Sequence, residues 1–221
     1  KLLFLITGLA YGGAETQLMR LAIQLKKRGW DVKVVSMLPP AAYVEELNDA
    51  GISIESLNMR RGVPDPIAFW RLVRILKKEK PQVLISFMYH ANLLGRLAGK
   101  LTGVPVIVSS IRNENFGGPW RDRIMRITDW MADITTINSR LAAEAIVKRK
   151  VVNKERLRVI PNGLIIENYR GNIYLREPIR KELGIKGNDF LWLTVGRLEI
   201  QKDYPNLLRA FAKVIELFPY I

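Results

Sequence analysis

Two cations lie five residues apart in the segment VGRLEIQKDYP, namely Arg197 and Lys202. The run from 189 to 195 predicts a buried strand before them, and the helical spacing of apolar residues from 204 to 218 predicts a helix after them. Both side chains are therefore expected in a turn at the carboxyl edge of a sheet, where open α/β folds bind ligands. Fixed cations in such a turn can stabilise the negative charge of a departing diphosphate. The alternative is a pair of solvated surface charges with no specific role.

A second candidate site is the glycine-rich turn that follows the predicted strand 2–6 and ends in Gly12, Gly13, Ala14 and Glu15. The spacing from Gly8 to Gly13 is that of a P-loop, but Ala14-Glu15 stands where Lys and Ser/Thr are required, which disfavours a nucleoside triphosphatase. A dinucleotide site is disfavoured because G-x-G-x-x-G and an acid after the second strand are both missing. The backbone at Gly12 and Gly13 can still approach an anion at a helix start. Alternatively, the glycines only permit a tight turn and Glu15 interacts favourably with the helix dipole.

Three segments together carry a family resemblance: ITGLAYGGAETQLMRLAIQL at 6–25, VIPNGLIIENY at 159–169 and VGRLEIQKDYPNLLRAF at 195–211. In this order and at these separations they resemble the family-4 (group 1) glycosyltransferases of the GT-B fold. The resemblance implies transfer of a sugar from a nucleotide-sugar with retention of the anomeric configuration. It implies that Arg197 and Lys202 bind the leaving diphosphate as catalytic residues, and that the Gly12-Gly13 turn faces the donor diphosphate and the acceptor.

No metal and no cofactor besides the nucleotide-sugar substrate is expected. The sequence contains no Asp-x-Asp pair that could hold a divalent ion at the diphosphate. The two cations of the 197–202 turn would take the place of that ion.

Apolar runs alternate with helical patterns, which predicts parallel strands joined by right-handed crossovers. We expect a Rossmann-like parallel sheet with helices on both faces in 1–170, which is the acceptor-side amino-terminal domain of a GT-B protein. Residues 171–221 are expected to be a linker and the truncated start of the nucleotide-sugar-binding domain, with the stretch Tyr169 to Asn172 marking the linker. The predicted strands lie near 2–6, 32–37, 52–57, 83–87, 105–110, 133–137, 157–160 and 190–195, and the predicted helices near 13–28, 40–50, 66–80, 90–101, 119–132, 139–149, 175–183 and 204–218.

The second domain is expected to be incomplete. The resemblance implies a pair of glutamates, with seven residues between them, that holds the sugar and the ribose of the donor and would lie beyond Ile221. We therefore expect this chain to be a fragment. Alone it should have no transferase activity and should self-associate, since apolar residues of 190–218 would lack the sheet that buries them.

In addition to Glu15, four polar residues that follow strands of the first domain are candidates for binding the acceptor: His90, Arg112, Glu114 and Asn138. Arg112 ranks first because a guanidinium can bind an acceptor phosphate with two hydrogen bonds. Many members of the resembled family carry a histidine near this point, so no catalytic role is transferred to Arg112. A single histidine is more often structural, and Asn138-Ser139 can instead cap the helix that follows.

Charge predicts an anionic partner for the first domain. The formal net charge is +14, and residues 1–170 hold 27 Lys and Arg against 15 Asp and Glu. The helix near 119–132 is expected to bury Trp120, Ile124, Ile127 and Met131, which leaves Trp130 beside two arginines and suits an anionic membrane surface. A solvated basic face is the alternative. Nucleic acid is disfavoured because no binding signature for it occurs.

We expect a cytoplasmic protein, and the family resemblance together with the basic first domain suggests a peripheral position on the inner face of a membrane. Cysteine is absent, which excludes disulfides and thiolate catalysis. No apolar run approaches the length of a spanning helix. The family resemblance implies a glycosyltransferase of polysaccharide or cell-envelope biosynthesis, with a glycan or lipid-linked acceptor. The alternatives are a non-catalytic α/β module that binds an anionic ligand and, more weakly, an epimerase or phosphorylase of related fold.

Overall fold

The computed structural model describes residues 1–169, 171, 173–187 and 189–218. Contacts divide the chain into two units, Lys1–Gly163 and Leu164–Ile221, and each is described by itself. The division falls a few residues before the predicted boundary at 170, and Arg170 and Asn172 of the predicted linker lie outside the described residues.

The first unit is built on a seven-stranded parallel sheet in the order β3-β2-β1-β4-β5-β6-β7. The strand predictions for this unit are confirmed to within one or two residues, because each strand is an apolar run bounded by turn residues. The strands are β1 (Leu2–Ile6), β2 (Val32–Ser36), β3 (Ser53–Ser56), β4 (Val83–Phe87), β5 (Val106–Ile111), β6 (Ile134–Ile137) and β7 (Leu157–Val159).

Helices connect the strands and cover both faces of the sheet, which confirms the Rossmann-like fold. Local chemistry sets several helix ends: the Asp65 carboxylate accepts from the Ala68 amide, and Gly103 ends its helix with positive φ. The helices of this unit are α1 (Gly13–Lys27), α2 (Val44–Asp49), α3 (Pro66–Glu79), α4 (Tyr89–Thr102), α5 (Pro119–Thr128) and α6 (Arg140–Lys148).

Two apolar layers hold these helices on the sheet. On one face Leu18 of α1 and Leu47 of α2 pack with Phe4 and neighbouring strand residues. On the other face Leu72 of α3 and Ala98 of α4 pack in a second layer. The helices change face because the chain builds the sheet outward from β1 first in one direction and then in the other.

The expected burial of α5 is wrong. Trp120, Ile124 and Ile127 are exposed, and Met125 is the buried apolar residue of this helix. The Met125 side chain packs with Ile111 and Ile137 of the sheet, so this side of α5 is the buried one. Arg96 of α4 contacts the same side, since its Nη1 donates to the Met125 carbonyl at 3.1 Å.

Arg96 is the centre of a buried polar network that joins three elements. It is fully buried, it donates to Ser109 Oγ at 2.9 Å and to Thr128 Oγ1 at 3.0 Å, and its Nη2 lies 3.6 Å from Asp129 Oδ1. Burial lowers the pKa of Arg96 to about 10, and the charge of Asp129 opposes that shift. Asp129 also accepts from the Asn153 amide at 2.9 Å.

In the second unit the predicted strand at 190–195 is wrong, since the described residues 189–218 contain no strand. A strand needs a hydrogen-bonded neighbour, and these residues offer none. The backbone here is held by side chains instead: the Trp192 ring lies 5.9 Å from the Phe211 ring. The α-helices among the described residues of this unit are α7 (Arg176–Glu182) and α8 (Tyr204–Leu217).

Replacing Arg96 with methionine is expected to destabilise the chain by about 3–5 kcal/mol, because Asp129 would remain buried without its partner charge. The double change R96M/D129N should recover part of that loss. Urea unfolding followed by circular dichroism measures both. An R96M variant as stable as the parent chain would contradict the role given to this network.

Glu79 of α3 provides a pH test. Hydrogen bonds from Lys1 and Lys33 lower the pKa of its carboxyl group to about 2, from an ordinary 4.5. A carboxyl group whose pKa is lowered by folding stabilises the folded state at pH values above its ordinary pKa of 4.5. That stabilisation is lost as the pH falls toward 2. The difference in unfolding free energy between the parent chain and E79Q should therefore shrink from pH 5 to pH 2. E45Q, at an exposed position on α2, is the control and should show no such trend.

Candidate functional site

The strand order reverses between β1 and β4, so the helices that follow these two strands leave the sheet on opposite faces. A crevice forms at the carboxyl edge of an open sheet at such a point, and it is the usual ligand position. Here the edge of unit 1 carries the glycine turn after β1 and residues 88–90 after β4. The strand ends of β5, β6 and β7 extend the same edge.

Gly12 and Gly13 differ in what surrounds them. Gly12 has an extended backbone, and a Cβ added there would lie 2.4 Å from Glu15 Oε2. A Cβ added at Gly13 would meet no atom within 4 Å, so the protein itself does not require glycine at that position. The space in front of Gly13 is open, and the first amide groups of α1 have no intrahelical partners.

The Glu15 carboxylate lies back against Gly12 at the start of α1. Negative charge is favourable there because of the helix dipole. An anionic ligand at the same helix start would be repelled by this carboxylate, whereas a sugar hydroxyl could donate a hydrogen bond to it. The geometry thus gives Glu15 a more natural role with hydroxyl groups than with phosphate.

The turn after β4 is strained. Met88 has φ of 77° and ψ of 164°, a region that is almost restricted to glycine. Its amide donates to the Ser110 carbonyl at 3.1 Å. The buried Asn92 side chain donates to that carbonyl at 3.1 Å and accepts from the Ser110 amide at 3.2 Å. This turn projects His90 at the edge of the sheet.

His90 is exposed in the first turn of α4. Partial burial of the imidazole lowers its pKa below the ordinary 6.5, and the positive charge of Arg121 adds to this effect. A neutral imidazole near pH 7 can accept a proton or a hydrogen bond.

Arg112, directly after β5, has the most constrained geometry of the predicted site residues. Its Nη1 donates to Asn162 Oδ1 at 2.8 Å, and its guanidinium carbon lies 4.5 Å from the centre of the buried Phe87 ring. Burial lowers its pKa. Its Nε is buried without a hydrogen-bond partner among the described residues, which leaves one donor for an acceptor atom of a ligand.

Sequence reasoning missed the polar contacts that bring Arg112 to the turn after β7. Asn162 and Gly163 belong to the Pro-Asn-Gly turn, which the sequence marks as part of the family resemblance and as the start of the linker, without a contact to Arg112. The Gly163 carbonyl also accepts from Gln17 of α1 at 3.1 Å. The residues 160–163 therefore connect the β5 end to α1, and the Pro-Asn-Gly motif was the signal for it.

Glu114 and Asn138 do not join this cluster. Glu114 Oε2 lies 3.2 Å from Arg149 Nη1, and Arg149 also pairs with Asp122 at 3.2 Å. Glu114 therefore fixes the segment between β5 and α5 to the end of α6. Ser139 is the residue that caps α6, through a hydrogen bond from the Ala142 amide, and Asn138 precedes it.

In unit 2, Arg197 and Lys202 belong to one compact turn. Arg197 is exposed and its Nη1 lies 2.8 Å from Glu199 Oε1. Lys202 ends a short 3-10 helix, Ile200–Lys202, and its Cδ lies 4.0 Å from a Cβ built on Gly196. The two cations thus flank the same glycine, and the expected helix begins two residues later. The strand expected before this turn does not occur in the described residues 189–218. The described residues hold no group of three or more potential metal ligands.

The sequence model of Glycosyltransferase Family 4 matches residues 11–168, well over half of the chain. The chain belongs to this family. The match includes every candidate residue of unit 1, from Gly12 to Asn138, and ends before Arg197.

Curated relatives of this family member come from two bacteria. It is 30% identical to the UDP-Gal:alpha-D-GlcNAc-diphosphoundecaprenol alpha-1,3-galactosyltransferase of Escherichia coli, over 66% of this chain and 39% of that protein. It is 25% identical to the putative glycosyltransferase EpsF of Bacillus subtilis, over 98% of this chain and 59% of that protein. The chain thus spans about half the length of the curated relatives it matches.

Solved structures show the same fold. Anabaena Alr3699/HepE in complex with UDP and glucose superposes with a TM-score of 0.77 at 21% identity, over 96% of this chain and 58% of that one. A glycosyltransferase from Rickettsia africae gives a TM-score of 0.75 at 14% identity, over 96% and 57% of the two chains. These likenesses confirm the GT-B type of fold for this member of family 4.

Alanine at Gly13 is expected to leave the chain as stable as before, or more stable by up to about 1 kcal/mol, because no atom is displaced and alanine favours the helix. In the full-length protein the same change should weaken, at least about tenfold, the binding of a ligand whose atoms contact the Gly13 backbone. Unfolding curves and calorimetric titration measure the two effects.

The matched control is G99A, whose added Cβ would lie 2.8 Å from Ile107 Cδ1 inside the sheet packing. The G99A variant should have a lower free energy of unfolding than the parent chain. The molecules that remain folded should bind the ligand with the parent affinity. Unchanged affinity in G13A would contradict a ligand at the glycine turn.

Proposed function

We propose that the full-length protein transfers a sugar from a nucleoside-diphosphate sugar to a glycan or lipid-linked acceptor, with retention and without a metal ion. The observation that carries the proposal is the family match over 11–168, because it includes every candidate site residue of unit 1. The relatives are transferases by name, which favours an enzyme over a non-catalytic binding module.

The donor is proposed to be a uridine diphosphate sugar. Two of the proteins named above support this: the E. coli relative uses UDP-Gal by its name, and Alr3699/HepE was crystallised with UDP. In this proposal Arg197 and Lys202 bind the diphosphate and stabilise the charge that develops as it leaves. Arg197 reaches the diphosphate after exchanging its exposed pairing with Glu199, which contributes little stability by itself.

The acceptor is proposed to bind at the edge of unit 1, with its class supported by the diphosphoundecaprenol acceptor in the name of the E. coli relative. The unsatisfied Nε of Arg112 suits an acceptor phosphate oxygen. Glu15 and the neutral imidazole of His90 suit sugar hydroxyl groups, and either can receive a proton in the transfer step. Gly12 and Gly13 let the substrate approach the backbone of α1.

In the full-length protein, R197A and K202A are each expected to reduce kcat by about a hundredfold or more, since each removes a cation from the leaving group. R209A removes an exposed cation from α8 and should leave kcat unchanged. Nucleotide release during transfer from a panel of nucleotide-sugars measures the rates, and the anomeric configuration of the product is read by NMR. Parental turnover in both R197A and K202A would refute the assigned roles, and loss of turnover on adding a chelator would refute metal independence.

A further inference from the structure

The most unusual surface of unit 1 lies on α5 and the residues that follow it. Four large apolar side chains there face solvent: Trp120 is 72% exposed, Ile124 36%, Ile127 61% and Trp130 60%. They follow one another at intervals of three or four residues, so they form one stripe along the helix. We call this stripe, together with Arg123, the α5 surface.

The charges around the α5 surface have a single sign. Arg123 and Arg126 are exposed beside the stripe, and the Arg123 guanidinium carbon lies 5.7 Å from the Trp120 ring centre. The two acids of the same segment are neutralised by other partners: Asp122 lies 3.2 Å from Arg149, and the buried Asp129 pairs with Arg96. The exposed side of this segment is therefore apolar and positive.

A pocket of about 460 Å³ opens beside Trp130. Its cationic walls are Arg126, Lys150 and Arg156, and its one carboxylate is the paired Asp129. The Arg126 side chain is held in place because it donates to the carbonyls of Arg149 and Lys150 at 2.6 and 2.7 Å. A fixed guanidinium with two further cations suits a phosphate group.

We propose that the α5 surface docks on a bilayer that contains anionic phospholipid. The tryptophan and isoleucine side chains enter the interfacial region, and the pocket beside Trp130 receives a headgroup phosphate. Amphipathic helices with a basic flank and Trp or aliphatic residues on the apolar side bind membranes in this way. Single-stranded nucleic acid would need aromatic residues for base stacking, whereas Ile124 and Ile127 occupy the middle of the stripe. Within the described residues, no helix has the length and hydrophobicity needed to cross a bilayer.

The test is co-sedimentation of the 221-residue chain with vesicles of phosphatidylcholine alone or with 30% phosphatidylglycerol. It uses no donor or acceptor, so it is independent of the transfer reaction. We expect binding to the anionic vesicles only, and we expect it to weaken as salt rises. R123Q/I127S should reduce the partition coefficient at least about tenfold, and K150Q, which alters the pocket alone, about fivefold.

The matched control is R140Q/L141S on α6, which also removes an exposed arginine and an exposed apolar residue. It should bind like the parent chain. Brominated lipid should quench less tryptophan fluorescence in W120F/W130F than in the parent chain. In W70F, which alters a tryptophan on α3, the quenched fluorescence should equal that of the parent chain. The proposal would be overturned if the chain did not bind anionic vesicles, or if R140Q/L141S lost as much vesicle binding as R123Q/I127S. It would also be overturned if W120F/W130F were quenched as strongly as the parent chain, or if the chain bound single-stranded RNA as tightly as anionic vesicles.

Discussion

The constraint on which the site depends is the reversal of strand order at β1. Parallel strands joined by right-handed crossovers force α1 and α4 to opposite faces of the sheet, so neither helix can cover the edge between β1 and β4. The amide groups at the start of both helices consequently remain available to a ligand. The glycine turn, Met88 and Arg112 all occupy this edge because the topology leaves no other element to fill it.

The electrostatics of the edge depend on one partly buried cation. Burial disfavours the charged form of Arg112, and the Phe87 ring and the Asn162 amide offset that penalty only in part, because Nε is left without a partner. An anionic acceptor would supply both the missing hydrogen bond and the missing charge. The Glu15 carboxylate, which lies against Gly12, adds a negative charge at the start of α1.

Local patterns in the sequence were sufficient for the strands of unit 1, for the start of α1 after the glycine turn and for the start of α8 after Lys202. The failures are all long-range. Both sides of α5 carry apolar residues at helical spacing, and the side that is buried is the one that contacts distant residues, such as Arg96, 29 residues from Met125. The contact of Arg112 with Asn162 joins residues 50 apart, and that of Glu114 with Arg149 joins residues 35 apart. The predicted strand at 190–195 was wrong because a strand forms only by hydrogen bonding to a second chain segment. The apolar pattern of 190–195 gives no information about that second segment.

Met88 shows how the fold fixes the direction of the site residues. The positive φ of Met88 costs roughly 1–3 kcal/mol, so contacts with the surrounding structure must hold the backbone in this conformation. They do so through a single residue of β5: the Ser110 carbonyl accepts from the Met88 amide and from Asn92, and its amide donates to Asn92. Because Ser110 is also two residues before Arg112, the same strand end sets the direction of α4 and the position of the guanidinium. The chain segments that carry His90 and Arg112 are therefore joined by the hydrogen bonds of Ser110.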